Sequence, residues 1–141
     1  MAWLTESGEH MRQRLNRGVG QRAFTLIELL VVLAIVALLL TLAVPRYFQS
    51  IDTSKETILQ ENLRATRETI DKFYGDTGRY PESLDELVER KYLRALPYDP
   101  VTGSNATWII LAPDDPEKGK VYSIKSGALG NTRHGQAFAD L

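Results

Sequence analysis

The chain has 141 residues, with 17 Lys and Arg against 18 Asp and Glu for a net charge of −1, and no cysteine. That length allows one modest domain beside any apolar segment and excludes a large cleft enzyme, while the near-neutral charge speaks against general nucleic-acid affinity. Without cysteine no disulfide can staple an exported domain, which must then hold by packing, by neighbouring subunits or by a metal.

Met1–Ala23 is polar, Gly-containing and aperiodic, and it is expected to be disordered. It carries Arg12, Arg14, Arg17 and Arg22 against Glu6 and Glu9. A basic flank ahead of an apolar run puts the N-terminus in the cytoplasm and the remainder of the chain on the far side of the membrane. His10 falls in this leader.

From Phe24 to Val44 the only polar residues are Thr25, Glu28 and Thr41, and the run holds neither Gly nor Pro before Pro45. At about 1.5 Å per residue such a helix spans roughly 30 Å, the hydrocarbon thickness of a bilayer. The run is too long for the apolar core of a secretory signal, and no A-x-A site follows it. The plainest reading is an uncleaved signal anchor, but Glu28 argues for more. An acid inside a spanning helix costs about 2.5 kcal/mol or more and usually has a partner. Near a helix end the cost is lower, and snorkelling toward the interface can explain it. Cleavage after Ala23 would supply a counter-charge, because the new α-amine of Phe24 would lie at i−4 to Glu28, on the same helical face.

The residues A-F-T-L-I-E-L-L-V-V-L-A-I-V-A-L-L-L-T-L-A-V-P-R-Y resemble the N-terminus of type IV prepilins and of the pseudopilins of type II secretion. The resemblance implies a leader cut by a prepilin peptidase between Ala23 and Phe24, with N-methylation of Phe24. It also implies Glu28 as the assembly acid and Pro45 near the end of the span. The family prefers Gly before the cut, where this chain has Ala23. Alanine is also small, so processing is expected, at a lower rate.

Pro45 is expected to be accommodated as a kink where the helix leaves the membrane. Beyond it Phe48, Ile51, Ile58, Leu63, Ile70 and Phe73 recur mostly at gaps of 3, 4 or 7, with Tyr47, Leu59 and Tyr74 beside them. That spacing predicts one buried helical stripe. Lys55, Glu56, Arg64, Arg67, Glu68 and Lys72 lie between, as a solvated face. Gly75–Gly78 should end the helix. One long helix is thus expected from Thr25 to about Tyr74, roughly 75 Å at 1.5 Å per residue.

Arg79–Glu82 should be extended before its proline. Ser83 and Glu86 then form a capping-box pattern opening a short helix over about 84–91. Tyr92–Gly103 reads as a turn-rich loop. Thr107–Ala112 and Val121–Lys125 read as the two strands of a hairpin around the turn Pro113–Lys120. The tail Ser126–Leu141 reads as loop, with a short strand near Gln136–Ala139. Asp99, Asp114 and Asp115 are turn residues on this reading. Trp108 is core and His134 is surface. No Ser/His/Asp set, phosphate loop or cysteine pair offers a catalytic constellation, so the chain is not read as an enzyme.

The second half narrows the resemblance. R-Y-P-E-S-L-D-E-L, Y-L-R-A-L-P-Y-D-P-V-T-G and the W-I-I-L and V-Y-S-I-K-S-G-A strands are similar to the major pseudopilin, the G-type subunit of type II secretion, so the likeness covers most of residues 22–130. It implies an α+β pilin-like fold, a long N-terminal helix packed on a small antiparallel sheet of three strands. The implied organisation is a cleaved leader at 1–23, a transmembrane and assembly segment at 24–44, and a periplasmic globular domain at 45–141. The resemblance also implies a single-pass inner-membrane precursor that polymerises with itself into a periplasmic filament pushing folded proteins through an outer-membrane secretin. Its implied partners are minor pseudopilins, the prepilin peptidase, an inner-membrane assembly platform with its ATPase, and membrane lipid before assembly. No nucleic acid is expected. In this family calcium binds in the loop after S-x-G-A. Here Leu129 stands where an Asp would be expected, and only Asp140 and the terminal carboxylate follow. Calcium wants six to eight oxygens, so no cofactor is the expectation, with packing of Ala128, Leu129, Phe138 and Leu141 in its place and calcium in the loop at 126–141 left as the alternative. A type IV pilin for adhesion, motility or DNA uptake remains an alternative, as does an uncleaved single-span anchor carrying a periplasmic binding domain.

Overall fold

The computed structural model describes residues 23–141. The expectations for Met1–Arg22, including disorder of the basic leader, lie outside the described residues. The chain divides into two units, one ending at Leu40 and the other running from Thr41 to Leu141.

Helix α1 spans Leu26–Thr77 and carries Pro45 inside it. Proline has no N–H for the carbonyl four residues back, yet the helix runs on through it. In the first unit every helical residue is exposed, from Leu26 at 83% to Leu40 at 54%. Among the described residues α1 is the one helix long and apolar enough, by length and composition, to cross a membrane.

In the second unit α1 supplies Leu59, Leu63, Thr66, Ile70 and Phe73 to the core. These follow one another by four, three, four and three residues, the spacing of a single helical face. The stripe thus begins later than the sequence suggests. Phe48 and Ile58 are exposed, and Ile51 is only half-buried. Ile58 stands one residue, about 100°, round the helix from Leu59. The helix also passes through Gly75 and stops one turn later than expected. Gly78, at φ 77°, closes it by donating its N–H to the Tyr74 carbonyl at 2.8 Å.

Helix α2 is Leu84–Glu89, capped by Ser83, whose hydroxyl accepts from the Glu86 N–H at 3.3 Å. The Glu86 carboxylate accepts from the Glu82 N–H at 2.7 Å, not from Ser83 as a full capping box would have it. It also binds Arg79 at 2.5 Å and lies 3.5 Å from Arg90. Both guanidinium groups stand over the ring of buried Phe73, at 5.2 and 5.9 Å. The hydrogen bond from Arg79, with that from the Glu82 N–H, holds the Glu86 carboxyl below the ordinary value despite its burial.

The sheet has two antiparallel strands, β1 (Ile109–Leu111) and β2 (Ser123–Lys125), with Ile110 opposite Ile124. The third strand implied by the resemblance does not form among the described residues. Both strands are shorter than the alternating pattern suggests; ahead of β2 the Val121 N–H donates to the Pro81 carbonyl at 2.9 Å instead of to β1. The Trp108 indole N–H donates to the Pro97 carbonyl at 2.7 Å. In place of a strand near Gln136–Ala139 there is an isolated Asn131–Ala137 bridge followed by a 3-10 turn at Phe138–Asp140. The core closes with Leu84, Leu87, Trp108, Val121, Ile124, Ala128 and Phe138. A long helix packed on a small antiparallel sheet is the expected α+β class.

Candidate functional site

The start of α1 is the first place where chemistry gathers. Ala23, Phe24 and Thr25 are exposed and non-helical, so the Ala23–Phe24 bond lies in accessible backbone just ahead of the helix. Thr25 is the N-cap. Its hydroxyl accepts from the Glu28 N–H at 3.2 Å, and Glu28 Oε2 accepts from the Thr25 N–H at 3.4 Å. This reciprocal pair is a capping box, satisfying two backbone donors that lipid could not. Phe24 and Leu29 occupy the positions on either side that form a hydrophobic staple. Glu28 also lies in the first turn, where the helix dipole favours negative charge.

This geometry revises the same-face argument for residue 24. Since the helix starts at Leu26, Phe24 precedes the N-cap, and helical i−4 spacing does not stack it on Glu28. The cap is also a role that the charge argument missed. Its signal, T-x-x-E, stands at Thr25–Glu28 just as S-x-x-E stands at Ser83–Glu86. Glu28 Oε1 has no hydrogen-bond partner among the described residues, so the acid can accept another donor without breaking the cap.

The loop after β2 is the second place. Asp99 is fully buried. Its Oδ1 accepts from the Val101 and Thr102 N–H groups at 2.9 and 3.2 Å, and Oδ2 accepts from the Ser126 hydroxyl at 2.6 Å. The Ser126 oxygen in turn accepts from the Ala128 N–H at 3.1 Å. Asp99 is therefore a turn residue, as expected, and also the tie between the loop before β1 and the loop after β2. Gly127 lies so close to the Thr107 carbonyl that a Cβ would collide with it. Arg67, expected on a solvated face, is half-buried, and its guanidinium donates to the Ile124 and Leu141 carbonyls at 2.9 and 2.7 Å.

Both Asp99 oxygens already accept N–H and O–H donors, and among the described residues no group of three or more His, Cys, Asp or Glu comes together. Ala128 and Phe138 are buried and Leu141 packs against them, but Leu129 is 94% exposed and takes no part in the packing expected of it. Asp115 caps the 3-10 turn Pro116–Lys118 by accepting from the Glu117 N–H at 3.0 Å. Trp108 is core, and His134 is exposed.

The prokaryotic N-terminal methylation motif matches residues 19–44. The chain is 31% identical over 137 residues to the type II secretion system core protein G of Pseudomonas aeruginosa, covering 86% of this chain and 93% of that one. It is 29% identical over 130 residues to the core protein G of Klebsiella michiganensis, covering 81% and 88%. It is also 33% identical over 66 residues to the type IV major pilin protein PilA of Myxococcus xanthus, covering 47% of this chain and 30% of that pilin. No solved structure matches significantly.

Proposed function

The chain belongs to the family of the type II secretion system core protein G, and from that premise we propose that it is the major subunit of a secretion pseudopilus. In this reading 1–23 is a leader removed by a prepilin peptidase, which leaves a methylated Phe24 amine. Residues 24–44 anchor the precursor in the inner membrane and later pack against other copies, while 45–141 form the periplasmic domain. The role is structural rather than catalytic, and no cofactor takes part. The observation that carries it is the likeness to core protein G over most of both chains, together with the methylation motif.

The apolar part of α1 gains little by exchanging lipid for protein, because tails and leucines are alike. Glu28 supplies what apolar packing cannot. A free Phe24 amine on a neighbouring copy would be the additional donor that Oε1 can take, and a copy in the wrong register would leave a charge unpaired. The minor pseudopilins, the assembly platform and its ATPase, and the secretin belong to this proposal as partners.

Intact-mass and N-terminal analysis of membrane-extracted protein tests it. A chain beginning at methylated Phe24 supports assembly; one beginning at Met1 returns the chain to an uncleaved anchor. The likeness to PilA favours a second reading, a type IV pilin, though it covers under half of this chain. Deleting the gene separates the two. Lost protein export supports the pseudopilus, and lost surface pili with normal export supports the pilus.

A further inference from the structure

Just beyond Pro45 an open groove of about 570 Å³ runs between α1 and the C-terminal loop, lined by Arg46, Ser50, Thr53, Ser54, Thr57 and Arg133 among others. Three of its hydroxyls are turned inward. Thr53, Ser54 and Thr57 each donate to the carbonyl four residues back, at 2.8, 2.9 and 3.0 Å. The charged donors left to the groove are the two guanidinium groups, with the Gln49 and Ser50 side chains beside them. Arg133 is fixed there from 80 residues away in sequence. Its backbone N–H donates to Glu56 at 2.9 Å, and its Nη1 donates to the Thr53 hydroxyl. Arg64, Arg79 and Arg90 all pair with carboxylates, whereas among the described residues neither Arg46 nor Arg133 makes an ion pair. The nearby acids Asp52 and Glu56 line the adjacent cleft with Lys55. Next to Arg46, Tyr47 and Phe48 are 65% and 60% exposed, their rings meeting edge to face at 5.9 Å.

We propose that this groove seats the phosphodiester headgroup of an anionic phospholipid, held between Arg46 and Arg133. The inference rests on reading 24–44 as a membrane span. Arg46 is the second residue past that run, at the inner edge of the headgroup layer. Thr53, which carries Arg133, lies about 10 Å further along the helix. The layer is roughly 5–8 Å thick on each side, so the two guanidinium groups bracket it. Guanidinium binds phosphate through two parallel N–H bonds, which makes arginine the apt residue at both edges. Exposed aromatic rings at this level are what a membrane interface favours.

The test is native mass spectrometry of the full chain in detergent, titrated with phosphatidylglycerol, with phosphatidylcholine or with inorganic phosphate. Phosphatidylglycerol should be retained over phosphatidylcholine, and the Arg46→Gln/Arg133→Gln double variant should lose that preference by about tenfold or more. Arg94→Gln removes one exposed charge elsewhere and should leave the preference intact. Arg133→Lys, which keeps the charge but not the paired bonds, should fall in between. Equal retention of the two lipids, an equal loss in Arg94→Gln, or displacement of lipid by millimolar phosphate would each overturn the proposal. Both lipids binding alike would leave the span standing, whereas neither binding, with the chain soluble without detergent, would remove the span itself.

Discussion

Glu28 is half of a capping box and also carries the charge proposed for assembly, and Glu28→Ala removes both. Glu28→Gln separates them, because glutamine serves equally well at the third helical position and carries no charge. The expected outcome is that Glu28→Gln inserts and is cleaved, as read by N-terminal mass, yet forms no filaments under the electron microscope. Normal filaments from that variant would show that the cap, not the charge, is what assembly needs. At Asp99 one buried carboxylate accepts two backbone N–H groups and the Ser126 hydroxyl. Asp99→Ala leaves all three unpaired and is expected to lower stability by about 2–4 kcal/mol, with Asp99→Asn milder, as read by urea denaturation. The turn role of Asp99 was legible in D-P-V-T-G. Its partner was not, because nothing local in a sequence says which hydroxyl 27 residues away will meet a carboxylate. Leu129 escaped for a related reason: an apolar letter in a loop does not say whether the backbone turns it inward.

At the scale of elements, the short helix α2 is held by charge as well as by Leu84 and Leu87. The Glu86 carboxyl is held below its ordinary value chiefly by the hydrogen bond from Arg79, so its contribution is complete above the unfolded value of about 4.3. As pH falls below that, the unfolded chain takes up a proton that the folded one refuses, and stability drops until the lowered folded value is passed. Glu86→Gln should therefore flatten the acid limb of a thermal melting curve measured from pH 6 to pH 2, with little change in its slope near neutrality. An unchanged acid limb would mean the pairing is too solvated to matter. The start of α2 was readable from S-L-D-E, but the acid's true partners were not. Arg79 lies outside the helix, and only the fold brings it across Phe73.

The molecule as a whole was most legible where one physical signal dominated. A 21-residue apolar run, a helical stripe and two β-branched segments were enough for the order of the main helices and strands, and the resemblance implied their α+β class. What periodicity could not show is where packing stops. Tyr47, Phe48 and Ile58 keep the spacing of core residues but stay exposed, because the buried apolar packing on α1 begins at Leu59 and Arg133 of the C-terminal loop reaches back only to Thr53 and Glu56. Hydrogen exchange on the full chain in detergent should register that boundary. Amides of 59–73 are expected to be protected well beyond those of 46–56, since helical stability of the latter stretch gains little from tertiary packing. Uniform protection across 46–73 would contradict it.

The bare apolar face of α1 in the first unit has a consequence for how subunits travel. At roughly 1.5–3 kcal/mol for each Leu, Ile or Val brought out of an apolar setting, wetting that stretch costs tens of kcal/mol. On the proposed reading of a membrane-anchored filament subunit, a chain with such a tail would have no soluble pool and no exchange through water. Every copy would pass directly from bilayer to neighbour, so the filament would lengthen only at its rooted end, and its free tip would neither gain nor shed a subunit.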